Sequence, residues 1–178
     1  MSMTRHVVED VETLKAVTHP LRLRLLGLLR ADGPATATEL ARLLGESSGS
    51  TSYHLRQLER YGFITDATEQ RSGRERRWQA AHDMTSFPDS LAALPGGRAA
   101  LEQINQFQLD QLTVGLQAWR ELDDPTGFGH SDYKLDLDPN DLRELSEEIT
   151  ALIDRYRERA GSEPVRLHVL ALPRTTTP

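Results

Sequence analysis

The chain contains no cysteine in 178 residues. That absence excludes a disulfide framework, a thiolate metal site and a thiol nucleophile together. No stretch comes near the ~20 apolar residues that a bilayer span needs, and the opening MSMTRHVVEDVE lacks the apolar run of a signal peptide. The expectation is a cytoplasmic protein with no membrane contact. Also missing are a Gly-rich phosphate loop, an HExxH metal motif and a GxSxG nucleophile elbow. The carboxylates Glu144, Glu147 and Glu148 have the spacing of a solvated helix face, so no enzyme activity and no cofactor are expected. Histidines stand at 6, 19, 54, 82, 130 and 168, with no i, i+3 or i, i+4 pair, so no helical metal site is expected either.

Positive charge is in short supply: 21 Lys and Arg stand against 27 Asp and Glu, for a net −6. Taken as a whole this argues against a nucleic-acid partner, but the charge is unevenly placed. Residues 1–82 carry a net +2 and residues 83–178 a net −8. A half that can hold a local basic patch is joined to a half that phosphate would repel. Two domains with different roles is the simplest account, and an apolar content of 38% can support their cores.

The apolar positions Val11, Leu14, Val17, Leu21, Leu25, Leu28 and Leu29 recur at helical spacing, and His19-Pro20 divides them into two helices. ADGPAT reads as a loop. TATELARLLG begins with a capping-box spacing, Thr36 to Glu39, and ends at Gly45, which makes a short third helix. SSGSTSYHLRQLERYGF then reads as a fourth helix, capped by Ser47 and ended by Gly62. FITDAT and ERRWQA are short extended runs around Ser72-Gly73, a hairpin signal. Helix, loop, helix and hairpin in this order predict a winged helix-turn-helix over residues 1–82. A Pro- and Gly-containing linker, 83–97, follows. Residues 98–178 are expected to hold a long helix, about 98–122, and a β-α-β unit: YKLDL, a helix capped at Asp138-Pro139, and VRLHVLAL. The predicted fold class is therefore mainly α with small β.

Small polar residues at the tip of the fourth helix permit close approach to a duplex. Thr51, Leu55 and Leu58 take the face that packs on the third helix, leaving Ser48, Ser50, Ser52, Tyr53 and Arg56 for the groove. Serine hydroxyls read bases with low selectivity, whereas Arg56 can grip guanine or a phosphate. Arg71, Arg74, Arg76 and Arg77 in the hairpin read as phosphate contacts. Taken singly, the hydroxyl run is a loop and cap and the arginines are a solvated face; their order along the chain is what points to double-stranded DNA.

THPLRLRLLGLL, TATELARLLG, SSGSTSYHLRQLERYGFI and RSGRERRWQA together resemble successive segments of the arsenic-repressor (ArsR/SmtB-like) family of bacterial winged-helix regulators, over about residues 8–82. The resemblance implies a homodimer that binds a palindromic operator, usually represses, and releases DNA when an effector arrives. It also adds His54, the residue before Leu55, to the DNA-contacting set, with a packing role as the alternative. The family's metal sites are not carried over: the third helix has no thiol and the helix at 98–122 has no histidine.

For dimerisation the expected residues are Leu14 in the first helix and Leu101, Ile104, Leu112, Leu116 and Trp119 in the long helix. The acidic half is expected to serve as a dimerisation platform or to hold an unknown small-molecule effector near Phe107, Trp119, Phe128 and Tyr156, with ordinary core packing as the other reading of these aromatics. The competing reading is a winged-helix module that binds proteins instead of DNA, which the net negative charge favours.

Overall fold

A computed structural model of the chain describes residues 4–67, 76–121, 133–157, 159, 165 and 167–171. Asp10 accepts the Thr13 amide at 2.8 Å and starts α1, Val11–Val17. His19 Nδ1 accepts the Leu21 amide at 3.2 Å, and Pro20 opens α2, Pro20–Ala31. Thr36 and Glu39 make the full capping box at the start of α3, Ala37–Leu44, and Gly45 ends it in the left-handed conformation. Ser47 caps α4, Ser48–Arg60. Gly62, at φ 75°, then lets the chain turn out of α4 and into the sheet.

Strands β2 (Ala35–Thr36), β3 (Ile64–Asp66) and β4 (Arg77–Ala80) form an antiparallel sheet in the order β2-β4-β3, with Thr36 opposite Arg77 and Asp66 opposite Trp78. The tip of the hairpin, including Arg71 and Arg74, lies outside the described residues. The winged helix-turn-helix is therefore formed as expected, and the molecule is mainly helical with small sheets.

Two segments depart from expectation. Arg5–Val7 forms a strand, β1, paired in parallel with Met84–Ser86, β5. Residues 83–97, expected as a linker, thus continue the folded unit: after β5 a 3-10 helix, Asp89–Ala93, puts Leu91 into the core at 2% exposure. The glycine pair after Pro95 is a point of close approach. A Cβ on Gly97 would lie 1.8 Å from the Leu91 carbonyl oxygen, so only glycine lets α5, Gly97–Arg120, start there. Arg30, at the end of α2, pins this segment by donating to the His82 carbonyl at 3.1 Å and to Thr85 Oγ1 at 2.7 Å.

The chain divides into two units, Met3–Asp110 and Gln111–Pro178 together with Met1–Ser2. The first has one core, built from Val8, Leu14, Val17, the inner leucines of α2, Leu40, Leu55, Leu58, Phe63, Trp78 and Leu91, and closed by Ala100 and Ile104 of α5. Leu14 and Ile104, expected at a dimer seam, are 0% and 1% exposed inside their own chain, so neither is available to a partner. Leu101 is half-buried against the same core.

In the second unit Asp138 Oδ1 accepts the Asn140 and Asp141 amides at 2.7 and 3.0 Å and starts α6, Pro139–Arg157, as expected. The two flanking strands are not formed: residues 133–138 and the described residues of 165–171 belong to no sheet. Alternation tells which side of an extended segment is apolar, but a strand requires a neighbour to take its backbone hydrogen bonds. Tyr133 and Val165 are 79% and 80% exposed. No described residue of this unit is buried, and no helix among the described residues is long and apolar enough to cross a membrane.

Candidate nucleic-acid interface

Helix α4 has two unlike sides. Thr51, Leu55 and Leu58 are fully buried, and they hold α4 against α2 and α3. Ser48, Gly49, Tyr53 and Arg56 are exposed, with Ser50 and Ser52 half-buried beside them. Ser47 Oγ accepts the Ser50 amide at 3.1 Å, while the other first-turn amides have no acceptor within the helix. The first turn contains no acidic side chain. The dipole and these amides therefore present a partial positive charge, which suits an anion such as a phosphate.

Beside this tip runs an open groove of about 270 Å³, lined by Ala37 and Thr38 of α3, Ser52 and Arg56 of α4, and Arg76 and Trp78 of the wing. The fold thus brings Ser52, Arg56 and Arg76 together, although 20 residues of sequence separate the last two. Ala37 and Thr38 were not among the residues expected here, because their place depends on how α3 crosses α4.

Three expected contact residues are engaged within the chain itself. His54 is 9% exposed and packs on the ring of His19, the N-cap of α2, with ring centroids 4.3 Å apart, so it takes the packing role. Burial, and then the neighbouring His19 and Arg22, hold the His54 imidazole below its ordinary pKa, which keeps it neutral. Arg77 donates to Glu39 at 3.2 Å and to the Pro34 carbonyl, and so ties β4 to the capping box of α3. Arg76 is held by Glu59 and Asp66. Hydrogen bonds to Asp66 and then Glu59 raise its pKa further, and the same pairing lowers that of Asp66. No feature of the sequence pairs residue 76 with residue 59; the packing of the β3–β4 hairpin beside the end of α4 does.

Among the described residues no group of three His, Asp or Glu side chains is placed to hold a metal ion.

Residues 17–67 match the family model of a helix-turn-helix domain. No curated protein matches the chain. Among solved structures, the chain is similar to HlyU from Vibrio cholerae, at 28% identity over 38% of this chain and 68% of that one, with a TM-score of 0.33. It is also similar to a possible transcriptional regulator for arsenical resistance, at 28% identity over 61% of this chain and 97% of that one, with a TM-score of 0.35. A third is the homodimeric winged helix-turn-helix DNA-binding domain of a possible ArsR-family regulator from Mycobacterium bovis: 20% identity, 67% of this chain, 87% of that one and a TM-score of 0.36.

Proposed function

We propose that this chain is a homodimeric transcriptional regulator of the arsenic-repressor type that its sequence resembles, binding double-stranded DNA through α4 and the wing. The observation that carries the reading is the division of α4: one side is fixed in the core by Thr51, Leu55 and Leu58, and the other offers Ser48, Ser52, Tyr53 and Arg56 around an acid-free first turn. A helix anchored in this way can enter a major groove without losing its support. Ser50 and the remaining first-turn amides add phosphate contacts, and Arg71 and Arg74 are the wing's contribution. Two copies, with recognition helices about 34 Å apart, meet a palindromic operator. With Leu14 and Ile104 in the core, the seam falls to the outer part of α5, where Leu112 and Trp119 are half-buried and Leu116 is 39% exposed. Repression, relieved by a small-molecule effector, is the mode of control that the resemblance brings.

Selection of bound fragments from random duplex DNA tests this directly. A two-fold symmetric motif is expected, with affinity falling steeply between roughly 50 and 200 mM salt. Arg56→Ala should cost about 1–3 kcal/mol of binding and relax the preference at one position of each half-site. The second reading, a protein-interaction module, is favoured by the engagement of Arg76 and Arg77 with the chain's own carboxylates. Failure of the protein to retard any duplex at low salt would select it.

A further inference from the structure

We propose that Arg76 is a positioning residue that fixes the base of the wing to the recognition helix, and not a phosphate contact. The proposal rests on the reading that this face binds DNA. Nε and Nη2 of Arg76 donate to the two carboxylate oxygens of Asp66 on β3, the longer of these bonds being 2.8 Å. Nη1 and Nη2 donate to the two oxygens of Glu59 in the last turn of α4, the longer being 3.3 Å. Four of the five guanidinium N–H groups are thereby used within the chain. The guanidinium carbon also lies 3.8 Å from the centroid of the Trp78 ring, so one face of the cation is covered.

Exposed ion pairs usually contribute little, because two flexible side chains must be ordered and solvent screens the charge. This arrangement differs in kind. Both carboxylates are held bidentately by one rigid fork, and that fork is stacked on a tryptophan that is itself 4% exposed. The three partners come from three elements: α4 through Glu59, β3 through Asp66 and β4 through Trp78. The cluster therefore sets the angle of the wing against α4. It also offsets part of the charge of the two carboxylates that hold Arg76, which itself lines the groove with Ser52 and Arg56. Without Arg76 those carboxylates would repel an approaching phosphate.

A lysine at 76 separates the two roles, since it keeps a point charge adequate for phosphate but lacks the planar fork and its stacking. Amide hydrogen exchange is measured on the DNA-free protein, and binding to the selected duplex is followed across a salt series, for wild type, Arg76→Ala and Arg76→Lys. Both variants are expected to speed exchange at residues 64–66 and 77–80 by about tenfold, as local opening becomes easier. Both should also weaken DNA binding to a similar degree, with Arg76→Lys keeping the wild-type salt slope. The proposal is overturned if exchange is unchanged in both variants. It is equally overturned if Arg76→Lys binds within about threefold of wild type while Arg76→Ala lowers the salt slope by about 0.9, the signature of one lost phosphate contact. If the wild type binds no duplex, the DNA reading fails by itself, and hydrogen exchange alone decides whether Arg76 anchors the wing.

Discussion

Helices α2 and α6 carry the same kind of pattern and meet different fates. In α2, Leu21, Leu25, Leu26 and Leu29 are all under 7% exposed. In α6, Leu142, Leu145, Ile149, Leu152 and Tyr156 follow an equally regular spacing, yet Leu142, Leu152 and Tyr156 are 43%, 44% and 56% exposed. An apolar stripe states that a helix face has something to gain from cover; it does not identify the cover. The first unit supplies that cover from its own chain, from α1 to α4, the start of α5, a three-stranded sheet and the 3-10 turn at Leu91. In the second unit no described residue is fully buried.

Core truncations test this contrast at its largest. Phe63→Ala, at a fully buried site, should destabilise the protein by about 3–5 kcal/mol in urea denaturation, whereas Leu152→Ala in α6 should stay within about 0.5 kcal/mol. An equal cost at Leu152 would show that α6 has a covered face after all. A smaller difference is expected within α5. Gly97→Ala forces a methyl onto the Leu91 carbonyl and should cost about 1–3 kcal/mol, while Gly115→Ala, with nothing within 4 Å, should add about 0.5–1 kcal/mol of stability. Loss of the capping box through Thr36→Ala should cost about 1 kcal/mol, with the Tm falling accordingly.

The weakest effect should be the response to acid. His6, His19 and His54 all belong to the first unit, and burial lowers the pKa of each from the ordinary 6.5. The unfolded chain then binds more protons than the folded one below that value. The stabilisation is therefore complete above about pH 6.5 and is lost as pH falls toward the folded-state pKa values. Around His54 the groups that matter are His19, the N-cap of α2, and Arg22 within it, which disfavour its protonation, and Glu46 before α4, which favours it. Tm measured from pH 7.5 down to 5 should decline, and His54→Leu should flatten the slope; an unchanged slope would show that His54 takes up protons equally in the folded and unfolded states.

Much of the first unit was legible in the sequence because its signals are local. A cap is a side chain and an amide three residues apart, as at Ser47 and Ser50 or Thr36 and Glu39. Glycines 45 and 62 stop their helices because φ is positive at each. The missing strand, β1, is three residues long and has no periodicity to announce it; it exists because Met84–Ser86 lies alongside. Residues 133–138 show the converse, an alternating pattern without a neighbour. In the candidate interface, the exposed face of α4 followed from helical geometry, and the burial of His54 and the pairing of Arg76 and Arg77 with the chain's own carboxylates did not.

By itself, then, the order of residues determined where helices begin and end, which side of α4 stays in the core, and that the wing follows it, since each depends on interactions spanning a few residues. Only the tertiary structure decided that 83–97 is folded, that Leu14 and Ile104 are interior, and that His54 is buried while Arg76 and Arg77 pair with the chain's own carboxylates. Those outcomes depend on partners 10 to 79 residues away, as between Arg76 and Asp66 or Thr4 and Asp83. Such pairings arise from packing and strand register, which no short stretch of sequence contains.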